Sequence, residues 1–196
     1  GKGGGTESVF DQGRDMGGFG GAHASGSPES HLLLGGAGGA GEGNNDYMTP
    51  GGNGGGVVFL RSNSLSGAGG IYADGADSDS SKIDWDEDDH EDFRYTSKYR
   101  IEGGDLHFID GAGGAGAGGT IQLKADNVEN LELSAKGGKG GDALRYISYG
   151  RYGPGGGGGG GAIYIDALPS NTSQDVEGGL NGVTEFGSGT CVQDRS

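Results

Sequence analysis

Alternating apolar positions occur in three similar stretches of this chain. Residues 55–62, 118–125 and 160–167 read GGVVFLRS, GGTIQLKA and GGAIYIDA. In each stretch two glycines precede apolar residues at every second position, which is the period of a half-buried β-strand. The sequence therefore predicts three β-strands that are copies of one repeat.

Each copy continues downstream with a polar turn, a second apolar position and a glycine run. The second apolar positions are Ile71, Leu131 with Leu133, and Val176. They lie 10 to 13 residues after Val58, Ile121 and Ile163 of the respective first strands. The first strands are separated by 63 and then by 42 residues. One insertion of about 21 residues in a repeat of about 42 explains both intervals.

The repeat also sets the predicted division of the chain. Terminal repeats are usually atypical, so residues before the first full copy are interpreted as a degenerate or capping repeat. Apolar residues at 32–34 and 106–109 precede further glycine runs and predict additional strands. The predicted regions are a capping repeat at 1–50, a β-repeat region at 51–182 with an acidic insertion at 77–100, and a C-terminal tail at 183–196.

Glycine makes up 51 of the 196 residues, and only 31% of the chain is hydrophobic. Such a composition is typical of disorder, but matched apolar pairs in three units favour an ordered fold with a thin core. The glycine runs fit either tight corners of a parallel β-solenoid or polyglycine-II (polyproline-II-type) helices packed side by side. The predicted fold class is all-β: glycine-rich β-solenoid-like or sandwich repeats, with short strands, polyglycine-II segments and almost no α-helix.

The formal net charge is −15, which disfavours nucleic acids and anionic membranes as partners because both are polyanions. No apolar run approaches 18 residues, so no membrane insertion is expected. The sequence starts at Gly1 without Met, which indicates a mature product or a fragment of a longer chain.

The motif G-G-x-I-x-L-x-A, followed by a polar turn, a second strand and G-G-x-G-G at 137–141, resembles the glycine-rich repeats of large secreted or cell-surface proteins of bacteria and protists. The runs at 35–40 and 113–116 are also similar to the glycine-alanine repeats of mycobacterial surface proteins and to the polyglycine tips of phage adhesins. The first resemblance covers about 51–182. It implies an extracellular or cell-surface location and a structural or adhesive role, as in extracellular filaments.

Two acidic sites are candidates for Ca²⁺, the one cofactor that the sequence suggests. Asp84, Asp86 and Asp88 match the first three ligand positions of an EF-hand loop, but the match fails at Asp89 and Tyr95. Asp142 completes a match to the calcium nonapeptide of β-helix repeats. The alternatives are a solvated acidic loop for the first site and a chance match in a glycine-rich chain for the second.

Other candidate residues are a glycosylation site and contact residues. Asn171 begins an N-x-S/T sequon in a polar turn. Tyr146, Tyr149 and Tyr152 recur every three residues and are candidate interface residues, although the same spacing suits packing against a neighbouring segment. Cys191 is the only cysteine, so it cannot form an internal disulfide and is a further interface candidate; the alternatives are a bond to sequence outside these residues or a free thiol.

The sequence indicates that the chain is not an enzyme. Residues 36–41 match the dinucleotide fingerprint, but 42–50 cannot supply the helix that must follow. The leading hypothesis is an extracellular structural protein, a self-assembling glycine-rich subunit of a filament or surface layer, with copies of itself as partners. The alternative is an adhesin that binds glycans or a host receptor through acidic and aromatic loops.

Overall fold

A computed structural model describes residues 32–41, 49–81, 111–145, 153–186 and 189–191 of the chain. These residues form β-strands and extended connections, and no helix occurs among them. Two strands have ten residues and the others have three or four. The strands are β1 (Val57–Ser66), β2 (Gly70–Tyr72), β3 (Thr120–Glu129), β4 (Glu132–Ser134), β5 (Ala143–Arg145), β6 (Ala162–Ile165), β7 (Ser173–Asp175), β8 (Thr184–Phe186) and β9 (Gly189–Cys191).

Two small sheets of three parallel strands carry the three sequence motifs. Sheet 1 has the order β1-β3-β6, and sheet 2 has the order β2-β4-β7. In sheet 1 the partners of Ile121 are Val58 on one side and Ile163 on the other. The strands predicted at the three motifs are therefore confirmed, and matching positions of the motifs lie side by side.

Sheet 3 is mixed, with the order β5-β8-β9. β5 and β8 are parallel, whereas β9 pairs antiparallel with β8. Thr184 accordingly has Ala143 as its partner on one side and Cys191 on the other. β9 thus occupies the outer edge of β8.

The apolar core lies between sheets 1 and 2. Ile121 and Leu123 of β3 and Leu133 of β4 are fully buried. Ile121 and Leu123 are two residues apart and therefore face the same side of the strand. Partly buried side chains of the flanking strands pack against this cluster: Val58, Leu65, Ile71, Ile163 and Ile165. The middle strand of each sheet holds the best-buried part of the core.

Glycine-rich segments extend from the ends of the strands and hydrogen-bond to one another. In segment 111–119, amides that donate to the same neighbour are three residues apart. The amides at 112, 115 and 118 donate to segment 153–161, those at 114 and 117 to segment 32–41, and those at 116 and 119 to segment 73–81. Segment 111–119 is consequently enclosed by other backbone, and most of it is buried.

Glycine is required where these backbones approach each other. A Cβ atom at Gly116 would overlap the carbonyl oxygen of Asn53, and one at Gly158 would overlap the carbonyl oxygen of Gly116. The conflict is with main chain, which cannot rotate away as a flexible side chain can. Close backbone approach therefore explains the glycine content of these segments.

The strand predicted at residues 32–34 is wrong. The structure has no strand there; instead the amide of Leu33 donates to Thr120 Oγ1 at 3.2 Å, and Thr120 Oγ1 donates to the Leu33 carbonyl at 2.8 Å. The Thr120 side chain thus forms the hydrogen bonds with Leu33 that the main chain of a partner strand would form. The strand predicted at 106–109 lies outside the described residues.

The match of Val176 with Leu133 is also wrong. Sheet 2 pairs Leu133 with Ile71 and with Gln174, and Val176 is 43% exposed. Paired residues are 42 positions apart between β3 and β6, but 41 positions apart between β4 and β7. The separation between paired positions of the two sheets falls from 13 residues (Val58 to Ile71) to 12 (Ile121 to Leu133) and 11 (Ile163 to Gln174), so Val176 lies two positions beyond the partner of Leu133.

Residues 82–100, most of the predicted acidic insertion, lie outside the described part of the chain. Residues 77–81, which the sequence analysis assigned to the insertion, instead continue segment 73–81. Amides at 75, 78 and 81 of this segment donate to carbonyls at 136, 139 and 142.

Candidate functional site

Three turns, at residues 67–69, 130–131 and 166–172, connect sheet 1 to sheet 2 and lie side by side. The amide of Asn130 in the second turn donates to the Ser170 carbonyl at 3.2 Å. Asn130 and Asn171 have φ values of 55° and 47°, in the left-handed region that asparagine tolerates better than most residues. Asn171 Nδ2 donates to Asn130 Oδ1 at 2.6 Å. This side-chain bond ties two consecutive turns together.

A groove of about 920 Å³ runs across the three turns. Its lining is contributed by residues 67–70 with Tyr72, by residues 130–132, and by residues 171–173. Most of these are glycine, amide, hydroxyl or carboxylate residues. The groove is thus polar, with one aromatic ring on it.

Tyr72 is the aromatic residue of this groove, and its side chain is 56% exposed. Its ring lies across Gly70, since a Cβ atom at Gly70 would overlap the ring. A hydrogen bond to the Glu132 carboxylate, together with the negative charge of that carboxylate, raises the pKa of Tyr72. Glu132 is the strand partner of Gly70. The Tyr72 hydroxyl therefore loses its proton only at a higher pH than an isolated tyrosine does.

The two ends of the paired sheets form a second candidate surface. Among the described residues, β1 and β2 have a strand partner on one edge only, and so do β6 and β7. Unpaired edges present rows of N–H and C=O groups that can pair with another strand. The structure thus offers one such surface at each end of the two sheets.

Burial differs between the middle and the ends of the sheets. Leu60, Leu123 and Ile165 are aligned across sheet 1. Leu123 is fully buried, whereas Leu60 is 36% exposed and Ile165 is half-buried. In sheet 2, Leu133 is fully buried and its partner Ile71 is only partly buried, whereas its partner on β7 is the polar Gln174. The end strands β1, β2 and β6 therefore leave apolar surface exposed.

Asp142, a predicted calcium ligand, contacts protein groups with both carboxylate oxygens. Oδ1 accepts a hydrogen bond from the Val183 amide at 2.9 Å, and Oδ2 lies 2.7 Å from Lys139 Nζ. Within the described ranges no three His, Cys, Asp or Glu side chains are grouped to hold a metal ion. Asp84, Asp86 and Asp88 lie outside those ranges, so calcium binding at both sites stays a prediction.

The remaining predicted residues are the glycosylation site and the interface candidates. Asn171 is exposed in its turn, with its Nδ2 bonded to Asn130, and its glycosylation stays a prediction. Cys191 ends β9, on the outer edge of sheet 3. Tyr146, Tyr149 and Tyr152 lie outside the described residues.

Sequence reasoning missed a set of side chains that join segments 73–81 and 135–143. Asp74 Oδ1 accepts from the Lys136 amide at 2.7 Å, Asp77 Oδ1 accepts from the Lys139 amide at 2.6 Å, and Ser80 Oγ accepts from the Asp142 amide at 3.1 Å. The acceptors and the donors both recur every three residues. That spacing in D-x-x-D-x-x-S is the signal that identifies them.

Removing the Asp74 carboxylate is expected to destabilise the fold. Asp74 Oδ1 also accepts from the hydroxyl of Ser134 at 2.6 Å, and Ser134 is buried. Asp74→Ala leaves two donors unsatisfied and should reduce the free energy of unfolding by about 1–3 kcal/mol. Asp74→Asn keeps an acceptor oxygen and should lose less.

Urea denaturation of Asp74→Ala and Asp74→Asn tests this role, with Asp126→Ala as the matched control. Asp126 is an exposed residue of β3, so its substitution should change the free energy of unfolding by less than about 0.5 kcal/mol. Equal unfolding midpoints for Asp74→Ala and Asp126→Ala would show that the Asp74 hydrogen bonds contribute nothing.

Comparison of the chain with protein-family models, curated proteins and solved structures found no match. Among the described residues there is no helix long and apolar enough to cross a membrane.

Proposed function

We propose that this chain is an extracellular structural protein, a glycine-rich subunit that self-assembles into a filament or surface layer without enzymatic activity. The proposal rests on the two end strands of sheet 1, β1 and β6, whose outer edges have no strand partner among the described residues and whose apolar side chains are only partly buried. The resemblance to glycine-rich surface proteins supports the extracellular location.

We further propose that the two sheets are the walls of a short β-solenoid. Each coil comprises a glycine segment, a sheet 1 strand, a turn, a sheet 2 strand and a returning glycine segment, over residues 49–81, 111–145 and 153–186. Parallel pairing of matching positions supports this interpretation. A coil of this kind cannot bury its apolar residues alone, so it requires neighbours on both sides.

The glycine segments are interpreted as polyglycine-II helices packed side by side. A polyproline-II-type helix has three residues per turn, so every third amide faces the same neighbour. The hydrogen bonds of segment 111–119 have this spacing towards three different segments. Glycine at the contact positions lets these backbones approach to hydrogen-bonding distance.

The partly buried apolar residues of the end strands favour self-assembly. Half-buried Val58 and Ile163 flank fully buried Ile121 in sheet 1. Another coil placed on either end would remove their remaining apolar surface from water, which stabilises association by about 25 cal/mol per Å² buried. Because the two ends are different surfaces, the contact is head-to-tail and propagates when the rotation does not close.

Sedimentation velocity over a range of concentrations tests the proposed function. We expect the sedimentation coefficient to rise with concentration as copies associate. Leu60→Lys places a charge on an end strand and should reduce association. Leu34→Lys is the matched control, because Leu34 is 74% exposed in segment 32–41 and belongs to no sheet edge. A wild-type protein that stays monomeric at every concentration would contradict the proposal.

The groove across the turns favours a second candidate function, that of an adhesin that binds glycans. Sugars present apolar ring faces that pack on aromatic side chains and hydroxyl groups that bind carboxylates and amides. The groove places Tyr72 beside Glu132 and Asn130. These groups differ from the acidic and aromatic loops that the sequence analysis suggested.

A glycan array followed by titration of each bound glycan tests the adhesin function. Tyr72→Ala should weaken binding about tenfold, which corresponds to about 1.4 kcal/mol and to the loss of one aromatic contact. Leu180→Ala is the control, because Leu180 is exposed and lies outside the groove. Absence of binding to any glycan, or equal binding by both variants, would argue against the groove as a glycan site.

A further inference from the structure

We infer that copies join end to end through β6 of one copy and β1 of the next, which pair in parallel with Ile163 beside the next copy's Val58. This inference rests on the proposed self-assembly and adds the strands, the register and the residues of the contact. All strands of sheets 1 and 2 run parallel within their sheet. A strand added in the same direction therefore continues each ladder, and β7 pairs with the next copy's β2.

The core-facing side chains support this register. Within one copy, Leu60, Leu123 and Ile165 are aligned, and only the middle residue is fully buried. This end-to-end contact between copies, the joint, places the next copy's Leu60 beside Ile165. Both side chains then have neighbours on two sides, as Leu123 has within one copy. In sheet 1 the joint thus repeats the packing of the middle strand, whereas in sheet 2 it places the polar Gln174 beside the next copy's Ile71.

The outer face of sheet 1 adds charge complementarity. Arg61 pairs with Lys124 within one copy, so two like charges are adjacent. Asp166 continues this row, since its amide donates to the Leu123 carbonyl at 3.0 Å. The joint places the next copy's Arg61 beside Asp166, and opposite charges on adjacent strands attract.

An aromatic contact lies next to this ion pair. Phe59 and Tyr164 are the two strand neighbours of Gln122 within one copy, and Phe59 is 49% exposed. The joint places the next copy's Phe59 directly beside Tyr164. Aromatic residues side by side on neighbouring strands stabilise the pairing of those strands.

Other features restrict the contact to the strands of sheets 1 and 2. Ser81 pairs with Ala143, and Ala143 pairs with Thr184. The next copy's Ser81 would continue this row, but Cys191 of β9 already occupies that edge. Among the glycine segments, Asn181 Oδ1 accepts from the amide of Gly157 at 2.9 Å, so this amide already has an acceptor within its own copy. The joint therefore ends before Ser81.

Cross-linking of mixed single-cysteine variants tests the joint. Phe59→Cys and Tyr164→Cys are each made with Cys191→Ser in the full chain, and a short thiol cross-linker such as dibromobimane is added. Adjacent strands are about 4.8 Å apart, so covalent dimers should form in the mixture. A head-to-tail contact separates like residues, so neither variant alone should give dimers.

Exchanging the charges gives a second measurement of the same contact. Arg61→Glu and Asp166→Arg should each weaken association several-fold in sedimentation velocity, and the double variant should recover most of it. Dimers in the mixture together with this recovery would support the joint. If the protein polymerises but the mixture gives no dimers, the joint is wrong and the structural function stands. If the protein does not polymerise at all, both fail.

Discussion

Replacing Gly158 by alanine is expected to destabilise the fold strongly. The Gly158 amide donates to Gly138 at 2.9 Å, and its carbonyl accepts from Gly179 at 2.8 Å. A Cβ atom there would overlap the carbonyl oxygen of Gly116. Three neighbouring backbones thus fix the position, and none can move without breaking hydrogen bonds. The cost should be at least about 3 kcal/mol, the upper part of the range for overpacked sites.

Gly36→Ala is the matched control, because Gly36 lies in a similar glycine segment with no atom within 4 Å of the added Cβ. This substitution should leave the stability unchanged or raise it by about 0.4–1 kcal/mol, since alanine lowers the entropy of the unfolded chain. Thermal and urea denaturation of both variants provides the measurement. Similar unfolding midpoints would show that backbone contact does not explain the glycine at position 158.

Leu123→Ala is expected to have the second largest effect. Leu123 is fully buried between the two sheets, with Leu60 and Ile165 as its strand neighbours. Truncation of a buried leucine leaves a cavity and costs about 2–5 kcal/mol. The core has few large side chains, so few neighbours can move into that cavity.

Leu60→Ala provides the comparison for Leu123→Ala, because both positions carry leucine in the same row of sheet 1. Leu60 is 36% exposed, so in dilute monomer its truncation should cost less than half as much. Both variants are measured by urea denaturation at a concentration at which the wild type is monomeric. Equal losses would mean that the end strand is as well packed as the middle strand, which contradicts the account of the ends.

The sequence predicted the strand pairing well where a pattern repeats locally. The period-two pattern after each glycine pair located β1, β3 and β6, and the copies aligned Val58, Ile121 and Ile163 as the structure pairs them. This worked because parallel stacking puts equivalent residues next to each other. The second strand was placed less well, since the separation between the paired strands shortens by one residue at each step from β1 to β6 and leaves Val176 two positions beyond the partner of Leu133.

The candidate site was mostly beyond sequence reasoning for a physical reason. The groove combines three turns that are distant in the chain, and the position of Tyr72 depends on the bare backbone of Gly70 beneath its ring. Asp74 accepts hydrogen bonds from a segment about 60 residues away. Such contacts depend on the packing of segments that are distant in the chain, which the sequence predicts only after the strand register is known.

Cryo-electron microscopy of the assembled protein would show whether copies stack through the ends of their sheets. Sheets 1 and 2 each have three strands, and neighbouring strands are about 4.8 Å apart, so we expect filaments with a rise of roughly 14 Å per copy and a strand spacing near 4.8 Å along the axis. Single dispersed copies at high concentration, or filaments whose strands do not stack along the axis, would contradict this stacking.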